Sequence, residues 1–222
     1  MHPVLKMPGL RLKISGEISP QDVASVRNAF KNNTSEGIPT KVEVWLDSMG
    51  GDVISAIEIG RAVRVAKAST EVHGKCASAC VFILAAGVDR TAAPNSVGIH
   101  RPTFTNLDKN LPYKEVRNRL EKLDREIVSF FKEMDIPSSL LEAMKATPPD
   151  RIDWLGQKEL QNYRITGTDP ASQELRDAAL ADQFKISKQE YLGRLALIDK
   201  ICRSEDFGIF TQCYMRVLQT GQ

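Results

Sequence analysis

The chain has 222 residues, a length that suits one compact domain with an appendage better than two full domains. Hydrophobic residues make up 42% and charged residues 26%, which is ordinary for a globular protein, and the formal net charge is only +2. So small an excess excludes the basic footprint of a nucleic-acid-binding protein and a polybasic membrane patch. No stretch approaches the run of about 20 apolar residues that a membrane-spanning helix needs.

Strand and helix signals alternate along the first half of the chain. Runs rich in β-branched and aromatic residues predict short strands, and apolar residues at helical spacing predict the helices between them. The expected strands lie at 10–18, 41–46, 70–73 and 96–100, the expected helices begin at Pro20, Val53 and Ala79, and turns are expected at 47–52 and 74–78. This alternation predicts an α/β fold of stacked βα units with parallel strands.

The second half is helical in pattern. A long amphipathic helix is expected at 113–134, followed by shorter helices at 137–146 and 154–163. Glycine and proline then cluster in GTDP at 167–170. Because such clusters punctuate structure, the sequence predicts an α/β domain at 1–167 and a helical C-terminal extension at 168–222.

Two turns, each placed between a strand and a helix, hold residues suited to a hydrolytic site. The first contains Gly50 and Gly51, and the second contains Ser78 within CASAC at 76–80. A turn at a helix N-terminus exposes the serine hydroxyl and directs free backbone N–H groups towards developing negative charge. The N–H of Ala79 and that of Gly50 or Gly51 are therefore candidate oxyanion donors, since glycine lets the backbone approach closely.

A serine hydroxyl is a weak nucleophile until a base takes its proton, and histidine is the usual base. The sequence holds three histidines. His2 is near the terminus, and His73 lies on the strand before Ser78, from which it would have to return through a sharp turn. His100, at the end of the next strand, is the natural candidate for the general base.

Four cysteines fall into two pairs that are close in sequence, and they predict the disulfides Cys76–Cys80 and Cys202–Cys213. The first would brace the turn on both sides of Ser78, and the second would pin a helical hairpin. A zinc site is the competing interpretation, although the spacings C-x3-C and C-x10-C differ from the common C-x2-C pattern. Four reduced, buried thiols are the other alternative.

The disulfides bear on the compartment, because they persist in oxidising surroundings. The segment 1–10 contains two prolines and lacks the apolar core of a secretory signal. We therefore expect either a periplasmic or otherwise exported protein whose signal was removed, or a cytoplasmic protein.

The order and spacing of the motifs resemble the proteolytic subunits of the Clp peptidase family, within the crotonase-like superfamily. The motifs that carry the resemblance are ISGEIS at 14–19, DSMGGD at 47–52, KCASACVFILAAG at 75–87, PNSVGIHRP at 94–102 and, more weakly, WLGQKELQNYRITG at 154–167. The resemblance implies a ββα-spiral Clp/crotonase-like fold and a Ser-His-Asp peptidase. By position, Ser78 would be the nucleophile, His100 the general base, and Gly50 (or Gly51) and Ala79 the oxyanion donors. The cysteines around the serine resemble the family's exported, periplasmic relatives.

The third member of the triad departs from the family's pattern. The family places its aspartate in an Asp-Thr pair, and a gapless match puts Pro148 at that position. The resemblance then offers Asp150 as the acid and Asp153 as the second choice, while a Ser-His dyad held by another acceptor is the remaining alternative.

Two other functions fit the same fold. A crotonase-type acyl-CoA enzyme shares the oxyanion hole but generally works with carboxylates and needs a CoA pocket, so the Ser78 and His100 pair favours a peptidase. A Clp-fold binding protein that no longer turns over is the second alternative. The peptidase hypothesis calls for no cofactor and no metal. It implies a peptide or protein substrate and a homo-oligomer, without nucleic acid and without a membrane span in this chain.

Overall fold

A computed structural model describes residues 9–32, 41–103, 111–204 and 206–222. The chain divides into two compact units, 1–169 and 170–222. The elements of the first unit are β1 (Gly9–Ile18), α1 (Pro20–Asn32), β2 (Lys41–Gly51), α2 (Val53–Val65), β3 (Ser69–Ala77), α3 (Cys80–Ala86), β4 (Asp89–Thr91), β5 (Val97–Ile99), α4 (Tyr113–Glu133), α5 (Ser138–Ala146), β6 (Asp153–Trp154), α6 (Gln157–Asn162) and β7 (Gly167–Thr168). The second unit contains α7 (Pro170–Gln183), α8 (Lys188–Ile201) and α9 (Phe207–Thr220).

The first unit is built on one mixed sheet with the strand order β1-β2-β3-β4-β7. Strands β1 to β4 are parallel and connected through helices, as the alternating pattern of the sequence predicts. The short strand β5 pairs in parallel with the end of β3, and β6 pairs antiparallel with β5. This arrangement confirms the predicted α/β fold with a helical extension.

The core lies between the sheet and the helices that connect its strands. Helix α3 is apolar on every side (CVFILAA), and each of its residues is fully buried. It packs against α2 and against the aromatic side chains Phe130 and Phe131 of α4. A helix buried all round fixes the position of the residues that precede it, among them Ser78.

Two turns expected from the sequence are parts of strands in the structure. Strand β2 continues through the glycines to Gly51, and β3 continues to Ala77. The pairing register shifts between Ser15 and Glu17 in β1 and between Leu46 and Ser48 in β2. These irregularities bend the sheet while its ladder continues, which is how bulges redirect strands near functional sites.

The third helix of the second half is shorter than expected. Residues 153–154 form β6, and the helix itself begins at Gln157. The Gly156 N–H donates to Glu159 Oε2 at 2.7 Å, which satisfies the first turn of that helix. A side chain at Gly98 would collide with Ile152 and Trp154, so glycine lets β6 approach β5.

The second unit has its own small core, formed by Ala181, Tyr191, Ile198, Cys202, Val217 and Leu218. The Cys202–Cys213 disulfide joins the end of α8 to α9, with its Cα atoms 5.6 Å apart. The unit begins at Pro170, two residues after the expected boundary, because β7 pairs with β4 and the Asp169 N–H donates to Val88 O at 2.8 Å. Among the described helices, none is long and apolar enough to cross a membrane.

Candidate active site

Ser78 stands at the junction between β3 and α3 with a backbone φ of +54°. Positive φ is uncommon for a residue other than glycine, asparagine or aspartate, and it concentrates at functional sites. The Ser78 N–H donates to Gly98 O at 3.0 Å, and its carbonyl accepts from the Val81 N–H at 3.1 Å. These two bonds hold the turn in its strained form with the side chain only partly buried.

A disulfide brackets this turn, as the pairing in the sequence predicts. Cys76 and Cys80 are joined with Cα atoms 5.2 Å apart, and both are fully buried. Together with Cys202–Cys213, this bridge takes up all four cysteines, so they are not zinc ligands. The covalent link joins the penultimate residue of β3 to the first residue of α3, and Ser78 is the midpoint of the loop that the bridge closes.

The glycine turn lies directly against Ser78. A Cβ added to Gly50, whose φ is +111°, would stand 2.7 Å from Ser78 Cβ and 3.1 Å from Ala79 N. A Cβ added to Gly51, whose φ is +142°, would collide with the backbone of Ile18 in β1. Glycine is therefore required at both positions, once for the approach to the serine and once for the approach to the neighbouring strand.

The backbone N–H groups of this region differ in whether they already donate to an acceptor within the protein. The Gly50 N–H donates to Ser48 Oγ at 3.1 Å, so it is already taken. The Ala79 N–H has no acceptor among the described residues. Of the two glycines considered as oxyanion donors, Gly51 is consequently the better candidate to act with Ala79.

His100 follows β5, next to the strand end that carries Ser78. The pairing of Cys76 with Val97 and of Ala77 with Gly98 brings the two strand ends together. The imidazole is partly buried, and its Nδ1 lies 3.1 Å from Arg101 O. Both Ser78 and His100 belong to the described part of the chain, and no hydrogen bond joins their side chains. Such bonds are often loose without substrate and tighten in the reacting complex.

The two candidate acids lie on the segment that runs beside His100. The Arg101 N–H donates to Thr147 O at 2.9 Å, and Ile99 is the pairing partner of Asp153. Both Asp150 and Asp153 are exposed, and within the described residues neither is hydrogen-bonded to His100. The backbone carbonyl of Arg101 stands where a triad carboxylate would accept from Nδ1.

The sequence profile of the Clp protease family matches residues 12–143, more than half of the chain. The chain belongs to the Clp protease family. This confirms the resemblance seen in the motifs, and both glycines, Ser78 and His100 lie inside the matched segment. Clp proteases are generally serine peptidases that oligomerise and act on peptides. A search of the curated proteins finds no match.

The remaining candidates for chemistry in this chain are the other two histidines and possible metal ligands. His73 stacks on Trp45 with ring centroids 3.9 Å apart and lies 3.4 Å from Glu71, so its contacts are on the open face of the sheet. His2 lies outside the described residues. In the described parts of the chain, no group of three or more His, Cys, Asp or Glu side chains is arranged to hold a metal ion.

Sequence reasoning missed two residues that shape the site. Ser48 holds Gly50, and the Arg101 Nε donates to Lys145 O at 2.8 Å, which fixes the segment that leads to Asp150. The sequence did contain a signal for the role of Ser48, because a serine inside a glycine turn is available to hydrogen-bond the backbone. The sequence contained no such signal for Arg101, since the carbonyl that accepts from its side chain is 44 residues away in sequence.

Proposed function

We propose that the protein is a serine-type peptidase that cleaves peptide bonds through an acyl-enzyme on Ser78. The observation that carries the proposal is Ser78 at positive φ, packed against Gly50 and beside the strand end that bears His100. A strained serine at a strand-to-helix junction is the arrangement that several hydrolases use to present a nucleophile. Membership of the Clp protease family supports the same reaction class.

The proposed first half-reaction uses His100 as the base. With the proton on Nδ1 directed to Arg101 O, Nε2 is left with the lone pair that takes the proton of Ser78 Oγ. The alkoxide attacks the carbonyl carbon, and the resulting oxyanion accepts from the Gly51 and Ala79 N–H groups. His100 then returns the proton to the leaving amine, and the acyl group remains on Ser78.

In the second half-reaction, water takes the place of the amine. His100 removes a proton from the water, whose oxygen attacks the acyl carbon. The bond between that carbon and Ser78 Oγ then breaks, His100 returns the proton to Oγ, and the carboxylic acid product leaves. The chemistry needs only side chains and backbone donors, so the proposal includes no cofactor. The partners it implies are a peptide or protein substrate and further copies of the chain, as in the family.

The experiment that tests the function is labelling of the purified protein with a fluorophosphonate probe. We expect one label per chain at Ser78, located by peptide mass spectrometry, and no label on Ser78→Ala. His100→Ala should react slower by roughly 10³-fold or more, because the nucleophile loses its base. An unlabelled wild-type protein would contradict a working peptidase and favour a Clp-fold binding protein.

The same assay decides the third member of the triad. We propose Asp150, and Asp153 after it, as the carboxylate that turns towards His100 when substrate is bound, holding the tautomer and stabilising the imidazolium. Asp150→Asn or Asp153→Asn should then slow labelling by at least about 10-fold. If the substituted aspartate is only a solvent-exposed loop charge, the labelling rate should not change. Wild-type rates in both variants would leave a dyad oriented by Arg101 O.

We propose an exported, periplasmic location, which the two disulfides support. In protein prepared from its own compartment and unfolded in denaturant, alkylation without reduction should modify no cysteine, whereas alkylation after reduction should modify all four. Mass spectrometry counts the adducts. Four thiols that react without reduction would contradict both the bridges and the export.

A further inference from the structure

Ser48 is buried in the bend of the sheet, with 2% of its surface exposed. Its Oγ donates to Gly16 O at 2.5 Å and accepts from the Gly50 N–H at 3.1 Å. Gly16 belongs to β1 and Gly50 to the turn against Ser78. One hydroxyl therefore connects the bulge of the neighbouring strand to the backbone that faces the serine.

The position of Ser48 in the β1–β2 and β2–β3 hydrogen-bond ladders explains why a side chain, and not the backbone, makes these two hydrogen bonds. The β1–β2 register shifts across Ser48, and the β2–β3 register resumes at the pair of Ser48 with Cys76. Where a ladder is interrupted, backbone groups lose their regular partners and need another one. The Ser48 hydroxyl supplies it to a carbonyl on one side and to an amide on the other.

The backbone that Ser48 holds is intrinsically soft. Gly50 and Gly51 have φ values of +111° and +142°, and consecutive glycines have more accessible conformations than any other pair of residues. A backbone N–H stabilises an oxyanion well only if it already points at it before the reaction. The Gly51 N–H belongs to the peptide unit that follows Gly50 Cα, so fixing Gly50 fixes the orientation of that donor.

We propose that Ser48 is a positioning residue of the active site, whose hydroxyl holds the glycine turn so that the Gly51 N–H meets the oxyanion. The inference deepens the proposed function and rests on it. Ser48 does not touch the reacting atoms, since its Oγ contacts are Gly16 and Gly50. Its effect is on the transition state, in which negative charge develops, and not on binding of the neutral ground state.

The test compares Ser48→Ala with Thr70→Val in the full chain, using the fluorophosphonate probe. Thr70 is matched because it is 1% exposed and its Oγ1 donates to a backbone carbonyl, Leu84 O, at 2.9 Å. Ser48→Ala should lower the first-order labelling constant by about 10- to 100-fold, part of what losing an oxyanion donor costs, with the probe's KI unchanged. Thr70→Val should lose thermal stability and keep the wild-type labelling constant.

The pH profile separates positioning from damage to the base. The midpoint of the labelling rate against pH should be the same in Ser48→Ala and wild type, because His100 is untouched. A wild-type labelling constant in Ser48→Ala, an equal loss in Thr70→Val, or a change confined to KI would overturn the inference. Each of these outcomes requires a labelled wild-type protein, so failure of the proposed function, seen as an unlabelled wild type, is distinguished from them.

A measurement on the wild-type protein covers the case in which Ser48→Ala does not fold. The Gly50 amide, buried and bonded to Ser48 Oγ, should exchange its hydrogen far more slowly than an unstructured amide, as read by NMR. Exchange of the Gly50 amide at the unprotected rate would show that the hydroxyl does not hold the turn, and would overturn the inference.

Discussion

Replacing Gly50 by alanine is expected to lower the rate of Ser78 acylation by roughly 10²–10³-fold, the range that follows loss of an oxyanion donor. The new methyl group would stand 2.7 Å from Ser78 Cβ, closer than real Cβ atoms come to other atoms, and 3.0 Å from Ala77 O, which is tighter than most Cβ contacts. The neighbours are mostly backbone, held by the Cys76–Cys80 bridge and by α3, so the glycine turn has to move away. That movement would withdraw the N–H of Gly51, the donor that we propose, from the oxyanion.

The measurement is the labelling constant of Gly50→Ala, with circular dichroism to show that the variant is folded. Gly167→Ala is the matched control, because Gly167 has a φ of +100° and a Cβ there would meet nothing within 4 Å. Both substitutions impose a similar backbone strain, on the order of 1 kcal/mol. We expect the control to label at the wild-type rate. Labelling of Gly50→Ala at that rate would show that the turn is not part of the site.

The sequence was sufficient to predict which strands end side by side, because the strand ends of a parallel sheet lie at the same edge. Ser78 and His100 follow strands that pair directly, β3 and β5. The disulfides were also predictable, since each pair is separated by a short turn. These are consequences of local pattern and of chain connection, which a single sequence contains.

The finer geometry depends on contacts that local pattern does not contain. Gly50 and Gly51 are adjacent and equally flexible, so it could not be predicted from the sequence which of their N–H groups is already hydrogen-bonded within the protein. That depends on Ser48 Oγ reaching Gly16, 32 residues earlier, across a register shift. The acid could not be predicted either, because the chain that leads into Pro148 and Pro149 is held by Arg101, whose backbone and side chain donate to Thr147 O and Lys145 O.

A second large effect is expected at Arg90, which lies in β4 and is 4% exposed. Its guanidinium donates to the carbonyls of Gly87 at 3.0 Å, Arg164 at 2.6 Å and Met134 at 3.0 Å. It also lies 3.5 Å from Asp169 Oδ2, at the end of the first unit. One side chain thus joins the segments that follow α3, α4 and α6 to the last residue before the extension.

Burial sets the energetics of this arrangement. Removal from water, and then the neighbouring Arg64, lower the pKa of Arg90 to about 10, so the group is still protonated at neutral pH. The charge is offset by the three carbonyls and by Asp169, which Arg64 also contacts at 2.9 Å. Methionine at this position would fill similar space and leave those carbonyls without a donor. Breaking a buried ionic cluster by removing one member costs roughly 3–5 kcal/mol.

We therefore expect Arg90→Met to lower the free energy of unfolding of the first unit by about 3 kcal/mol or more. Both tryptophans of the chain, Trp45 and Trp154, belong to that unit, so tryptophan fluorescence during urea unfolding reports on it alone. Arg27→Met is the control, because Arg27 is exposed and bonded to Glu58 at 3.0 Å, and surface ion pairs contribute about 0–1 kcal/mol. Equal losses in the two variants would mean that the buried guanidinium contributes no more to stability than a surface ion pair.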